Sequence, residues 1–179
     1  MAFSMPRTWT TGELVTAAHL NQDVRDNMLF LANPPACRVY HNTTQVMADA
    51  TETVVAFNSE RYDTDSMHST VTNNSRITFT TGGLYLLTFN GVLAALTTYS
   101  LVYTFFRLNG TTSLGYAGFT PTAFSASPNL VNTTVYKFAA ADYVQVLIYQ
   151  DNTANVGVNL NSGANYSPEF SATWIGLGS

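Results

Sequence analysis

Hydrophobic and polar positions divide the chain into a short helical part and a long β-rich part. Apolar residues recur at helical spacing within residues 16–32; they are Leu20, Val24, Met28 and Leu31. The hydroxyl of Thr16 is suited to cap the first turn. Asn33-Pro34-Pro35 ends the pattern, because proline removes a backbone donor and disfavours helical geometry before it. We therefore predict one amphipathic helix over residues 16–32.

The apolar stripe of this helix needs a partner, because a helix of about four turns is marginal in isolation. Two interpretations stay open. The stripe packs either on the chain's own sheet, or on symmetry mates or a larger assembly. A short heptad seam also fits the spacing, with Asn27 as the polar residue that sets the register. Its positions are Ala17, Leu20, Val24, Asn27 and Leu31.

From residue 36 onward, short apolar runs alternate with turn signals, which is typical of β-strands. The predicted strands cover residues 37–42, 53–57, 72–80, 84–96, 101–108, 112–119, 132–138, 143–149 and 170–177. Asn109-Gly110 lies between two apolar runs and predicts a type I′ hairpin, which needs two positive φ angles. Many short strands without intervening helices predict a mostly β fold, namely an antiparallel jelly-roll sandwich after an N-terminal helix.

Several predicted strands are apolar on both faces. In residues 84–96, Tyr85, Leu87 and Phe89 share one face, whereas Leu84 and Leu86 lie on the other. One face must fill the core, and we expect the other to meet another subunit. We assign the subunit interface to large residues of three strands: Tyr85, Leu87, Phe89, Leu147, Tyr149, Phe170 and Trp174.

Charge is scarce in the β-rich part. From residue 65 to residue 179, the ionised side chains are Asp65, Arg76, Arg107, Lys137, Asp142, Asp151 and Glu169. So few charges leave little to solvate both outer strand faces, which favours a subunit of an assembly. The whole chain has a net charge of −4 and no cluster of Lys or Arg, so we expect no nucleic-acid partner. No apolar run approaches the roughly 20 residues that cross a bilayer, so we expect no membrane insertion.

The sequence contains no pattern typical of catalysis or of a bound cofactor. None of the three histidines (His19, His41 and His68) lies in metal-ligand spacing with another or with Cys37. Asp63 and Asp65 would suit a hard cation, but the alternating charges around them favour a solvated loop. Phosphate loops, nucleophile elbows and paired catalytic carboxylates are absent, which also argues against a glycan-cleaving tailspike. We expect no cofactor and no enzyme activity.

Four segments of the β-rich part resemble a known family in their order and spacing. They are residues 81–89 (TGGLYLLTF), 106–110 (FRLNG), 141–146 (ADYVQV) and 170–177 (FSATWIGL). They are similar to strands of the globular head of complement component 1q and its tumour-necrosis-factor-like relatives. The resemblance implies a ten-stranded jelly roll that forms a compact threefold trimer through aromatic-rich strands. Ala141 and Ala172 depart from it, because the family usually has glycine there.

The N-terminal part has a different resemblance. Its pattern runs from Trp9 through Gly12-Glu13 and a threonine-capped helix with Leu20-Asn21 to Arg25-Asp26-Asn27. This pattern resembles the opening of many tailed-bacteriophage virion proteins, often tail-fibre or minor tail proteins. The resemblance implies that residues 1–35 bind other virion proteins. We assign the attachment contacts to Trp9, Leu20, Val24, Met28 and Leu31.

The two resemblances together imply a phage virion structural protein with a trimeric jelly-roll head over residues 36–179. We expect it in a tail fibre or tail tip that serves host attachment. Two alternatives stay open: a capsid decoration or head-fibre protein, and a soluble lectin-like binding module. Aromatic residues in or beside the chain's own loops are candidates for binding a host glycan or protein. They are Tyr99, Tyr116, Phe119 and Phe124, with Tyr103 beside them.

The expected location is the virion surface, after folding and assembly in the bacterial host cytoplasm. Residues 1–6 lack the basic start and apolar stretch of a signal peptide. Cys37 is the single cysteine, which excludes an intrachain disulfide and fits a reducing compartment. We expect Cys37 to be a small buried hydrophobe.

Overall fold

The computed structural model describes residues 3–120, 127–163 and 168–178. The chain divides into two units, Met1–Pro35 and Ala36–Ser179. In the first unit, helix α1 (Ala17–Leu20), a π-helical segment (Asn21–Asp26) and helix α2 (Asn27–Ala32) follow one another without a break. The predicted cap is confirmed, because the Thr16 hydroxyl accepts a hydrogen bond from the His19 backbone N–H at 3.3 Å.

The π-helical segment changes how the apolar positions line up. A π-helical turn contains more residues than an α-helical turn. A stripe at spacings of four, such as Leu20, Val24 and Met28, would drift around a pure α-helix. The wider turn in the middle of this helix offsets that drift and keeps the three side chains in one row.

The segment before the helix folds back along one side of it. The Phe3 ring meets the Phe30 ring edge-on at 5.9 Å. The Ser4 backbone N–H donates to the Asn27 side chain at 3.0 Å, and the Asn27 amide donates back to the Ser4 carbonyl at 2.8 Å. Asn27 is buried by these contacts. It is therefore bound by its own N-terminal segment and does not serve as the register-setting residue of an interhelical seam.

The second unit is a sandwich of two antiparallel sheets. The larger sheet has the strand order β2-β11-β6-β12-β1-β4, with β9 also paired to β6. The smaller has the order β3-β10-β7-β8, with β5 also paired to β10. The strands are β1 (Ala36–Tyr40), β2 (Gln45–Met47), β3 (Thr53–Val54), β4 (Ser59–Asp63), β5 (Arg76–Thr78), β6 (Gly83–Leu93), β7 (Tyr99–Leu108), β8 (Thr112–Phe119), β9 (Asn129–Phe138), β10 (Tyr143–Asn152), β11 (Val158–Asn161) and β12 (Glu169–Gly176). The predicted fold class, a jelly roll after an N-terminal helix, is confirmed.

Local turn chemistry was predicted well and the shorter strands were not. Asn109 has φ 50° and Gly110 has φ 73°, so the turn between β7 and β8 has both positive angles of the predicted hairpin. Strands β2, β4 and β11 were missed. The stretch of alternating charge that was predicted as a solvated loop contains β4, an edge strand paired to β1. Its charges fit an edge, because they discourage pairing with another chain.

The core between the sheets is filled by large aromatic rings. Phe79 stacks on Phe138 with ring centroids 3.9 Å apart, and Tyr85 lies 4.6 Å from Phe79. Close packing extends to the backbone at Gly83, where a Cβ atom would lie 2.2 Å from Nε1 of Trp174. Glycine is therefore required at this position if the Trp174 ring is to stay in place.

Six of the seven residues assigned to the subunit interface are buried within the chain, five of them between the two sheets. Tyr85, Leu87, Phe89, Leu147 and Phe170 are at most 1% exposed, and Trp174 is 9% exposed. A side chain buried by its own chain has no surface left for a second subunit, so we reassign these six residues to the core. Strand periodicity had separated the two faces correctly, but the more aromatic face turns inward. Leu147 and Tyr149 lie on the outer face of the smaller sheet, where Leu147 is buried and Tyr149 is half-buried.

Candidate binding surfaces

The outer face of the larger sheet is aliphatic and nearly free of charge at its centre. We call this surface the seven-strand face; it is formed by Leu84, Leu86, Val131, Val135 and Ile175. Val131, Val135 and Ile175 are 56%, 48% and 49% exposed, while the two leucines are half-buried. The pairing register places Leu86 of β6 opposite Val135 of β9. An exposed aliphatic surface on a regular sheet is typical of a face covered by another subunit.

One end of the same sheet is polar and concave. A cavity of about 570 Å³ lies there. Glu169, which lines it, is 5% exposed. Its carboxylate accepts hydrogen bonds from the guanidinium groups of Arg38 and Arg61, the second at 3.0 Å. The buried charge is thus paired on two sides, as a buried carboxylate requires. This arrangement stabilises the sheet, and the Glu169 carboxylate is hydrogen-bonded to the two arginines of its own chain.

The outer face of the smaller sheet contains a cluster of tyrosines. We call this cluster the tyrosine platform; it consists of Tyr103, Tyr116 and Tyr149. The Tyr103 and Tyr149 rings stack at 4.6 Å with an interplanar angle of 6°, and Tyr116 lies 5.1 Å from Tyr103. Tyr116 is 66% exposed, and the other two are half-buried. Three adjacent rings with polar hydroxyls form a surface that can bind both apolar and hydrogen-bonding groups.

Neighbouring residues hold the platform in place. Gly118 of β8 lies opposite Tyr103, and a Cβ atom there would come within 2.6 Å of the Tyr103 Cβ. Arg107 donates to Glu52 at 2.6 Å, and its guanidinium lies over the Phe105 ring at 4.8 Å. The pKa of Tyr103 is raised, first by burial and then by the nearby Glu52 carboxylate. The platform is thus close-packed and bordered by one acid and one base.

The residues predicted to bind a host glycan or protein are dispersed. Tyr116 and Phe119 are exposed, the latter by 41%. Tyr99 is 6% exposed and donates to the Ala94 carbonyl at 2.7 Å, so it belongs to the core rather than to a binding surface. Phe124 lies outside the described residues. Sequence reasoning did not connect Tyr103 with Tyr149, because only the strand register brings these two rings together.

In the N-terminal unit, the residues predicted to attach the chain to a virion are exposed. Leu20, Val24, Met28 and Leu31 are 49%, 48%, 65% and 58% exposed. Trp9 is 40% exposed and meets the His19 ring edge-on at 5.7 Å. This unit therefore presents an apolar stripe on the side of its helix that the N-terminal segment leaves open.

The titratable groups considered for chemistry are occupied by local contacts. His68 contacts Glu60 at 2.8 Å, and His41 contacts the Ala56 carbonyl at 2.9 Å. The Asp63 carboxylate accepts hydrogen bonds from the backbone N–H groups of Asp65 and His68. Cys37 is buried, and burial followed by the Asp63 charge raises the pKa of its thiol. These contacts give each group a structural role.

Within residues 3–120, 127–163 and 168–178, no three His, Cys, Asp or Glu side chains are grouped so that they could hold a metal ion. In the same ranges, no helix has the length and hydropathy needed to cross a membrane.

Solved structures with the same fold include three animal proteins. The globular domain of zebrafish complement 1qA aligns with a TM-score of 0.55 and 16% identity over 79% of this chain and 97% of that domain. Murine APRIL aligns with a TM-score of 0.58 and 12% identity over 79% and 98%. Eiger TNF from S. frugiperda aligns with a TM-score of 0.59 and 13% identity over 81% and 94%. At these identities the likeness shows the fold, a jelly roll of the complement 1q and tumour-necrosis-factor type.

No protein-family model matches this sequence, and no curated protein sequence is significantly similar to it. The function must therefore be argued from the surfaces described above.

Proposed function

We propose that this chain is a structural adhesion protein of a tailed-phage virion, with residues 36–179 forming a homotrimeric head. The observation that carries the proposal is the seven-strand face. Burying a large aliphatic side chain stabilises an assembly by roughly 1.5–3 kcal/mol. Val131, Val135 and Ile175 offer that gain on the outer face of the larger sheet. The jelly-roll fold supports this role, since the related family implied by the sequence motifs assembles as threefold trimers.

Residues 1–35 attach the head to other virion proteins in this proposal. The exposed stripe of Leu20, Val24, Met28 and Leu31 supports it, because an apolar helix face at a protein surface is suited to a protein partner. The N-terminal resemblance to phage tail proteins favours a tail fibre or tail tip. The chain is then on the virion surface, acts without catalysis, and contacts the host through its head.

The direct test is immunogold labelling of intact virions with an antibody against residues 36–179, viewed by negative-stain microscopy. Label at the tail tip or fibres is the expected result. Label over the capsid would identify a decoration or head-fibre protein instead. Protein found only in the soluble fraction, with unlabelled virions, would contradict the virion role and favour a lectin-like module.

A matched pair of variants tests the attachment stripe. Met28→Asp should remove the protein from purified virions, because a carboxylate on the stripe must be desolvated when a partner binds. Val15→Asp changes a residue of similar exposure that precedes the helix, and it should leave incorporation unchanged. Equal incorporation of both variants would exclude the stripe as the attachment surface.

A further inference from the structure

We propose that the tyrosine platform is a binding site for neutral saccharides. This inference deepens the proposed function and rests on it in one respect, namely that the head serves host attachment. The site consists of Tyr103, Tyr116 and Tyr149, with Glu52 and Arg107 beside them.

The rings provide a rigid apolar surface. Tyr103 is held between Tyr149 at 4.6 Å and Tyr116 at 5.1 Å. Tyr116 is therefore supported on one side while 66% of the residue remains exposed. The C–H face of a pyranose ring is flat and weakly apolar, and it stacks on such a ring with little loss of side-chain entropy. An exposed tyrosine packed against a second tyrosine, which is itself stacked on a third, is suited to that contact.

The polar side chains that border the platform suit a ligand that has hydroxyl groups and no net charge. Glu52 and Arg107 are paired at 2.6 Å, so the charges beside the rings cancel. A carboxylate accepts and a guanidinium donates several hydrogen bonds, which matches the adjacent hydroxyls of a sugar. The Tyr103 hydroxyl is protonated at neutral pH, as in any tyrosine, and burial raises its pKa further. The pairing of Glu52 with Arg107 leaves no free cation from this pair for an anionic group, which favours a neutral hexose polymer over an acidic polysaccharide or an anionic lipid surface.

The position of the platform keeps it accessible in an assembled head. The seven-strand face and the platform lie on the outer faces of opposite sheets of the sandwich. A trimer formed through the first leaves the second open and presents three copies. Stacking of one sugar on one tyrosine is weak, but three linked sites raise the effective affinity for a repeating polymer.

Gly118 in the neighbouring strand β8 leaves room for the tyrosines of the platform. A Cβ at position 118 would lie 3.0 Å from the Tyr116 hydroxyl and 2.6 Å from the Tyr103 Cβ. Gly118 therefore allows both tyrosines to approach the β8 backbone closely. A larger residue there would displace Tyr103, Tyr116 or both.

The test is affinity electrophoresis of the full-length chain through gels containing a glucan, a galactan or a mannan. Hyaluronan gels and vesicles of anionic phospholipid represent the competing ligands. We expect retardation by at least one neutral polymer, and about a tenfold loss of affinity in Tyr116→Ala. Tyr62→Ala, which removes a 44% exposed tyrosine from an edge strand of the other sheet, is the matched control and should bind as the parent does.

Three results would overturn the site: no retardation by any neutral polymer, equal affinity of Tyr116→Ala and the parent, or binding to hyaluronan or vesicles alone. The mass of the same samples, measured by light scattering, separates this inference from the proposed trimer. A monomer that binds through Tyr116 would retain the saccharide site and refute the trimer. A trimer that binds no neutral polymer would agree with the proposed assembly and refute the saccharide site.

Discussion

The two outer faces of the β-sandwich differ in the side chains that they leave exposed. The seven-strand face presents valine, isoleucine and leucine. Their side chains have no polar atoms, so they stabilise the protein only when another apolar surface removes them from water. The platform face presents tyrosines, which combine an apolar ring with a hydrogen-bonding hydroxyl. In the proposals above, this difference gives assembly to one sheet and ligand binding to the other.

The largest effect is expected from Val135→Asp on the seven-strand face. A carboxylate at the centre of a subunit interface loses its hydration without gaining a partner, at a cost of several kcal/mol per subunit. We expect monomers in multi-angle light scattering, with circular dichroism that still shows folded β-sheet. Phe119→Asp changes a residue of similar exposure on the other sheet and should stay trimeric. A trimeric Val135→Asp variant would move the interface elsewhere.

The buried Tyr99 of β7 should make the stability of the head depend on alkaline pH. Burial raises the pKa of Tyr99 from 10.0 to about 12. Between these values the unfolded chain loses the phenol proton and the folded chain keeps it. The free energy of unfolding therefore falls as the pH rises through this window, by about 3 kcal/mol, and the full contribution is present below pH 10.

Urea denaturation at pH 9 and at pH 11.5 measures this loss. Tyr99→Phe has no proton to lose at that position, so its stability should fall less than that of the parent over the same interval. Equal losses in the two proteins would mean that the Tyr99 hydroxyl is not buried as described.

The ion pairs of the two faces should differ in strength. Glu169→Gln removes the charge between Arg38 and Arg61, whose side chains are 44% and 28% exposed. We expect a loss of about 2 kcal/mol in urea denaturation, below the value for a fully buried pair because the guanidinium groups reach solvent. Glu52→Gln on the platform face should cost less than about 1 kcal/mol, since that carboxylate is 40% exposed. The reverse order would contradict the burial of Glu169.

The smallest effect concerns the turn that joins the two sheets, between β9 and β10. Ala141 has φ 73°, a left-handed conformation that disfavours a Cβ atom. Ala141→Gly should raise the free energy of unfolding by about 0.5–1 kcal/mol, because the relief of strain exceeds the added freedom of the unfolded chain. Ala140→Gly, at a neighbouring position without positive φ, should not stabilise. A thermal melt of the two variants decides between these expectations.

Features determined by a few neighbouring residues were predictable from the sequence. The Thr16 cap and the Asn109-Gly110 turn depend on local hydrogen bonding and on φ, so their signals are contained in short segments. The family resemblance also marked Ala141 as a position where glycine is usual, and the structure gives the physical reason. The expected threefold assembly came from that resemblance rather than from periodicity.

Features that depend on distant pairing were not predictable. Alternation along β6 separates Tyr85 from Leu86 but does not say which of the two faces inward. The packing of Tyr85 against Phe79 and Phe138 decides that question. In the same way, Tyr103 and Tyr149 are 46 positions apart and meet only through the register of β7 with β10. The candidate binding surfaces therefore emerge from the fold and not from any single motif.

The mass of the 179-residue chain in solution, measured by light scattering at serial dilution, tests the proposed trimer most directly. We expect a particle of three times the 19.5 kDa chain mass that persists on dilution and is lost in Val135→Asp. A folded parent protein with the mass of one chain would contradict it, because the aliphatic seven-strand face would then be stable in water without a partner.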